Sequence, residues 1–161
     1  MTQNTSAGRP RPIDATLHGA TDYSVGTTLM TVFPSLVGLD GTPAGTQIRV
    51  AGAVHAGYAM LTDYPLGVVK VIPYKTHLAI DALGALALAA TPFLTGEYRK
   101  GTKHWAPHVG LCLFELASLL LSDPTGRGDY KADVDAVRAG NTEDPHRKIH
   151  DERPAVTPAS A

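Results

Sequence analysis

Residues 77–96, HLAIDALGALALAATPFLTG, decide the fold class of this chain. Beyond Asp81 the only polar side chains in this stretch are threonines, so the segment has no charged stripe that could face water. A helix of a soluble bundle needs such a stripe, whereas about 20 mainly apolar residues span the hydrocarbon core of a bilayer. The segment therefore predicts a transmembrane helix.

Three further apolar stretches of similar length flank this segment. Short polar connectors join consecutive stretches, which is typical of neighbouring antiparallel helices. The sequence predicts an all-α protein, namely a four-transmembrane-helix bundle over residues 17–123. A soluble bundle is the alternative, because charged residues interrupt the second and fourth stretches. The predicted helices cover residues 17–39, 48–72, 77–96 and 105–122.

Most of the charged and polar residues lie at the two ends of the chain. Residues 1–16 form a polar segment without the apolar run of a cleaved signal, and residues 124–161 are rich in charge, proline and glycine. The composition of residues 124–161 predicts a disordered tail. The distribution of Lys and Arg favours a multi-pass protein of the inner (plasma) membrane with both termini in the cytoplasm.

The expected partner is the lipid bilayer, with a second membrane protein or a second copy of the chain as further possibilities. A net charge of -1 provides no basic field that would attract nucleic acid, so nucleic acid is not expected as a partner. The single cysteine, Cys112, lies in an apolar run and cannot form an intrachain disulfide.

The sequence also contains a duplication. Sliding the chain on itself by about sixty residues aligns two tandem helical-hairpin repeats, 17–72 and 76–123. The tract around Thr62-Asp63 then lies near Ser122-Asp123, and His55 falls opposite Glu115. The first helices align at His18 with His77, Asp22 with Asp81, Gly26 with Gly84, Pro34 with Pro92, and Gly38 with Gly96.

Two matching tracts, FPSLVG at 33–38 and TPFLTG at 91–96, resemble the Ser-Pro-Trp element of the SPW repeat family of small bacterial membrane proteins. The wider pattern, His-Gly-x-x-Asp-Tyr at 18–23 and Leu-Thr-Asp-Tyr-Pro-Leu-Gly at 61–67, is similar to uncharacterised four-span relatives of that family. Neither copy keeps the tryptophan. The resemblance covers residues 14–124; it implies a membrane protein of unknown function and assigns no catalytic residue.

Two His-x-x-x-Asp pairs are the candidate metal ligands. This spacing places both side chains on one helix face, and antiparallel threading brings the starts of the first and third helices to the same side of the bundle. Two imidazoles and two carboxylates suit zinc, iron or manganese. The alternative is that each residue only marks a helix boundary. The metal candidates are His18, Asp22, His77 and Asp81, with the acidic residues Asp63 and Asp123 expected near the same face.

His55 and Glu115 form a second candidate pair. Helical rise places both near the middle of the membrane, where an ionisable residue costs several kcal/mol unless it is paired, protonated or hydrated. One interpretation is a hydrogen bond between Glu115 and His55, or a backbone carbonyl, that holds the two hairpins in register. The other is a proton relay from this pair to the Asp-rich face. Axial ligation of a haem by His18 and His77 is a further alternative.

No phosphate-binding glycine loop, nucleophile elbow or zincin helix is found, so no enzyme class is predicted. The leading hypothesis is a structural or accessory membrane protein without a bound cofactor, whose polar residues join the two repeats. The first alternative is a membrane metal- or haem-binding redox module built on the two His-x-x-x-Asp pairs. The second is a small transporter or proton-conducting subunit that uses His55 and Glu115.

Overall fold

A computed structural model of the chain describes residues 11–124. The first ten residues of the predicted polar segment, and the predicted disordered tail from residue 125 onwards, lie outside the described residues.

The described part of the chain is mostly helical, which confirms the all-α class. Each long helix has a recognisable start or end signal. Asp14 accepts a hydrogen bond from the backbone N–H of Leu17 (2.8 Å), and Thr42 caps the next long helix in the same way. The helices are α1 (Ala15–Thr31), α2 (Phe33–Leu36), α3 (Pro43–Met60), α4 (Tyr74–Leu94) and α5 (Ala106–Leu121).

The predicted second helix, 48–72, was wrong at both ends, because α3 begins at Pro43 and ends at Met60. Residues 61–73 form a connector, although its valines continue the apolar run. Pro65 has no backbone N–H and disfavours helical geometry at Tyr64, so the helix cannot continue. The backbone N–H groups of Val68 and Val69 instead donate to the Met60 carbonyl at 2.8 and 2.9 Å and satisfy the helix end.

The predicted first helix, 17–39, also proved to be divided. α1 ends at Thr31, and the short α2 follows with Pro34 in its first turn. Gly38 and Gly96 stand after α2 and α4 with φ angles of 68° and 79°. This left-handed conformation costs a glycine little and ends each segment before a connector.

Two small parallel pairings tie the helix ends together. β1 (Thr62–Asp63), which follows α3, pairs with β2 (Ile72–Pro73), which precedes α4. In a similar way, Ser122, which follows α5, forms a parallel bridge with Ile13, which precedes α1. Each pairing places a hydroxyl residue beside the first turns of the helix that carries a His-x-x-x-Asp pair.

The helices pack mainly as two hairpins, α1 against α3 and α4 against α5. α1 and α3 approach closely at glycines: a Cβ on Gly52 would lie 2.8 Å from the Gly26 carbonyl oxygen. A small apolar cluster at the end of the bundle that holds the polar residues joins Tyr64 of the connector to the helix residues Ala15, Ala59 and Tyr74.

One described helix, α4, is long and apolar enough to cross a membrane by length and composition. α5 is apolar but shorter, with 16 residues. These features are consistent with membrane association.

Candidate metal centre

The four predicted metal ligands meet in the interior of the bundle. One ligand atom from each of them lies within 4.8 Å of all the others. His18 and His77 are 0% exposed, and Asp22 and Asp81 are 2% and 1% exposed. Buried imidazoles and carboxylates at this density must be paired or bind a cation, because an isolated buried charge is very costly.

The contacts cross between the two hairpins. On α4, His77 Nε2 lies 3.0 Å from Asp22 Oδ2 of α1 and 3.1 Å from Asp81 Oδ2. On α1, His18 Nε2 lies 3.2 Å from Asp81 Oδ2 and 3.5 Å from Asp22 Oδ1. Each hairpin therefore supplies one imidazole and one carboxylate to a common centre.

The ring orientation of His77 is set by Thr62, the residue at the end of the other hairpin. His77 Nδ1 lies 2.7 Å from Thr62 Oγ1, and that hydroxyl donates its single proton to the Tyr58 carbonyl at 2.8 Å. The Thr62 oxygen is then an acceptor toward His77, so His77 Nδ1 carries a proton. A neutral His77 must therefore present its Nε2 lone pair to the two carboxylates.

His18 has the same arrangement with Ser122. His18 Nδ1 lies 2.8 Å from Ser122 Oγ, and the Ser122 hydroxyl donates to the Ser118 carbonyl at 2.8 Å. Both histidines thus carry the Nδ1 proton and direct Nε2 to the centre, which is how second-shell hydrogen bonds orient metal-ligating histidines.

Nε2 lone pairs and carboxylate oxygens repel one another unless positive charge lies between them. Two ring protons or one divalent cation would supply the same charge. Proton donation does not satisfy every nitrogen, because the buried His77 Nε2 has no hydrogen-bond partner of acceptable geometry among the described residues.

The spacing also fits a metal ion. Metal–ligand bonds of 2.0 to 2.2 Å in a tetrahedron separate neighbouring ligand atoms by about 3.3 to 3.6 Å. The four nitrogen–oxygen separations here are 3.0 to 3.5 Å and involve both oxygens of Asp22. Three of them are shorter than the tetrahedral separation, so the four side chains would move slightly apart around an ion. The arrangement suits a bare ion better than a haem, because His18 and His77 both contact the same Asp81 oxygen and leave no room for a porphyrin between them.

Tyrosines form much of the surrounding shell. Tyr58 donates to Asp81 Oδ1 at 2.6 Å, and Tyr64 lies 3.3 Å from Asp22 Oδ2 as a donor. Burial, reinforced by the nearby Asp22 carboxylate, raises the pKa of Tyr64 above its usual range, which keeps its hydroxyl proton in place for this bond.

Among the described residues, His55 and Glu115 share no hydrogen bond, and each has different surroundings. His55 Nδ1 lies 2.7 Å from the Tyr58 hydroxyl, and His55 Nε2 lies 3.4 Å from Asp22 Oδ1, so His55 belongs to the surroundings of the cluster. Glu115 Oε1 is buried without a hydrogen-bond partner among the described residues. Both side chains line one cavity between the hairpins.

The acidic residues expected near this face lie beside the cluster but outside the four-residue group. Asp63 faces Lys70, with 4.0 Å between Oδ1 and Nζ. The backbone N–H of Asp123 donates to the Ile13 carbonyl at 2.8 Å. The hydroxyl residues that orient the histidines immediately precede these two aspartates and were not singled out from the sequence.

Comparison of the chain with family models, with curated proteins and with solved structures found no match.

Proposed function

We propose that this chain is a four-span membrane protein whose two hairpins are joined by a divalent metal ion bound in the His18–Asp22–His77–Asp81 cluster. The observation that carries the proposal is the convergence on two carboxylates of two histidines whose Nδ1 atoms each contact a hydroxyl group. Neutral imidazole and carboxylate are the usual protein ligands of zinc and related ions.

The cluster favours a structural ion. Structural zinc sites use four protein ligands, whereas catalytic sites keep one coordination position open to solvent or substrate. All four side chains here are buried, and each hairpin contributes half of them. The ion would neutralise two buried carboxylates and connect hairpins that otherwise share fewer contacts with each other than each makes within itself. This role combines the structural function of the leading hypothesis with the bound metal of the first alternative, without the redox chemistry of that alternative.

The outer surface of α4 supports the membrane part of the proposal. Only 22% of its most apolar window is buried, whereas the core helix of a soluble protein is mostly buried. Large side chains around the bundle are exposed as well, including Leu83 at 68%, Leu113 at 64% and Leu120 at 73%. An apolar surface of this extent needs an apolar surrounding.

The four-span topology rests on this surface and on the predicted duplication. Positions that align in the two repeats make matching contacts, as His18 with Ser122 and His77 with Thr62 illustrate. Both hairpins would then cross the bilayer in the same sense, and the positive-inside rule places both termini in the cytoplasm.

Elemental analysis of the full chain, purified in detergent, tests the metal site. We expect about one equivalent of a transition metal per chain, or uptake of one equivalent of Zn²⁺, Fe²⁺ or Mn²⁺ on incubation. His77→Ala and Asp81→Asn should lose it, and Asp63→Asn, at the same end of the bundle, should retain it. Failure of all three ions to bind the folded wild-type protein would refute the proposal.

Cell fractionation tests the membrane part separately. The protein is expected in the membrane fraction after an alkaline wash and in solution only with detergent. Recovery of folded protein from the soluble fraction would contradict the four-span topology while leaving the metal measurement valid.

A further inference from the structure

A cavity of about 450 Å³ lies between the helices, beside the cluster. Its lining is mainly apolar, whereas the cluster consists of polar side chains. Its volume is within the range of small-molecule sites, about 300 to 1,000 Å³. Three buried polar atoms that have no hydrogen-bond partner among the described residues belong to side chains lining this one cavity. These atoms are Gln47 Oε1, His55 Nε2 and Glu115 Oε1.

These polar groups lie at two separate levels of the cavity. Gln47 and His55 are eight positions apart on α3, which corresponds to about 12 Å of helical rise. Glu115 of α5 and the Tyr58 hydroxyl line the cavity as His55 does, and Asp81 links this level to the cluster. We call the His55, Tyr58 and Glu115 side chains the polar end.

Apolar side chains form the wall between the two levels. They come from α1, α3, α4 and α5, so the lining belongs to both hairpins. Buried polar groups normally have partners, and the orphaned Glu115 Oε1 beside an apolar wall indicates a bound molecule with a polar head at this level. An apolar wall does not hold ordered water well, since a buried water needs two to four polar partners. The wall includes Val50, Val54, Ala85, Leu88, Leu111 and Phe114.

We propose that this cavity binds an uncharged amphiphile, a molecule with an apolar body about 12 Å long and a hydroxyl or carbonyl head at the polar end. The wall requires the apolar body. A hydroxyl head can donate to Glu115 Oε1, which has no partner among the described residues, whereas His55 Nε2 faces Asp22 of the cluster at 3.4 Å. An anionic head would face the carboxyl groups of Glu115 and Asp81 at close range and is therefore disfavoured.

Gly84 provides a way to fill the cavity without disturbing the bundle. It lines the cavity, and a Cβ built on it meets no atom within 4 Å. Gly84→Phe therefore places a ring in the cavity without a backbone clash. Gly110 is the matched control, because it is also helical and unobstructed but does not line the cavity.

The test uses dodecanol carrying a photoreactive diazirine, with the full-length protein in phosphatidylcholine nanodiscs. Labelling that unlabelled dodecanol competes away is expected to map to α3, α4 and α5 at the cavity. Dodecanoate should compete about tenfold less well. Gly84→Phe should abolish the competed labelling, Glu115→Leu should reduce it about tenfold, and Gly110→Phe should leave it at the wild-type level.

Measurement of bound metal in the same preparations distinguishes the amphiphile proposal from the metal-site proposal. Gly84→Phe and Glu115→Leu should keep their metal content, since neither residue belongs to the four-ligand group. Retained competed labelling in Gly84→Phe, or labelling confined to outward residues such as Leu83 and Leu86, would overturn the cavity proposal. Equal competition by the alcohol and the carboxylate would do the same.

Discussion

The hydroxyl of Thr62 offers the sharpest test of how the histidines are oriented. Thr62→Val keeps the branched shape of the side chain but removes the acceptor that lies 2.7 Å from His77 Nδ1. Thr62 is 0% exposed, so water cannot replace the lost oxygen without rearrangement. Removal of such a second-shell partner weakens metal binding by about 10- to 100-fold, which corresponds to about 1.4 to 2.8 kcal/mol.

Ser122→Ala makes the corresponding change at His18, and we expect a loss of the same size. The two hydroxyls act on different histidines, so the double variant should approach the sum of the two free-energy changes until another ligand set takes over. Thr21→Val is the control, because Thr21 also donates to a carbonyl in its own helix, at 2.9 Å, but is only half-buried and is not a hydrogen-bond partner of His18 or His77.

The assay is competition for Zn²⁺ between the detergent-purified protein and a chromophoric chelator at constant pH. Thermal unfolding of the metal-free proteins should show that each variant is folded. A dissociation constant for Thr62→Val within about threefold of the wild-type value would refute the argument that this hydroxyl sets the protonation and direction of His77.

Three further predictions concern other parts of the molecule. Gly52→Ala should lower the free energy of unfolding by about 1 to 3 kcal/mol because its Cβ would lie 2.6 Å from a Cβ of α1; Gly57→Ala, where a Cβ meets nothing within 4 Å, should be neutral or stabilising in the same thermal unfolding assay. Lys100 holds the pKa of Glu97 below its usual range, so Glu97 stabilises the fold above the ordinary glutamate pKa of about 4.3, and this contribution disappears as pH falls through the lowered value. Glu97→Gln should flatten that part of the stability–pH curve, and an unchanged curve would contradict the assignment. Addition of excess Zn²⁺ should raise the thermal midpoint of the wild-type protein but not that of His77→Ala, and equal shifts in both would exclude the cluster as the source.

The four residues of the buried cluster could be predicted to lie together because the relevant information is local and repeated. His-x-x-x-Asp defines a shared helix face at His18 and again at His77, and antiparallel threading brings equivalent helix starts together. Hydropathy located the helices for a similar reason, because the mean hydropathy of a segment is calculated from its own residues and does not require knowledge of its packing partners.

The errors arose where hydropathy and backbone geometry disagree. Val68, Val69 and Val71 extend an apolar run, but Pro65 has already ended the helix, and two of these valines are more than 60% exposed. The proline was the better guide, because a missing N–H and a steric clash act on the backbone directly. Greater weight on Pro65 would have placed the helix end near Met60.

The partner of His55 was missed for a different reason. Alignment of the repeats gives the depth of a residue along the bundle but not its rotation about the helix axis. Tyr58, three positions after His55, shares its face and makes the bond that was expected from Glu115. The roles of Thr62 and Ser122 could have been predicted from the sequence, because each of these hydroxyl residues precedes an aspartate at the corresponding place in its repeat.

Each histidine of the cluster contacts a hydroxyl residue of the other hairpin, and these contacts determine the order in which the cluster can form during synthesis. His18 leaves the ribosome early, but the Ser122 that orients it is synthesised 104 residues later. A nascent chain that ends after its first hairpin holds only His18 and Asp22 of the four-residue cluster. Under the proposed function, binding of an ion by all four side chains would require α4, which carries His77 and Asp81, and Ser122 would orient His18 only after α5 is made.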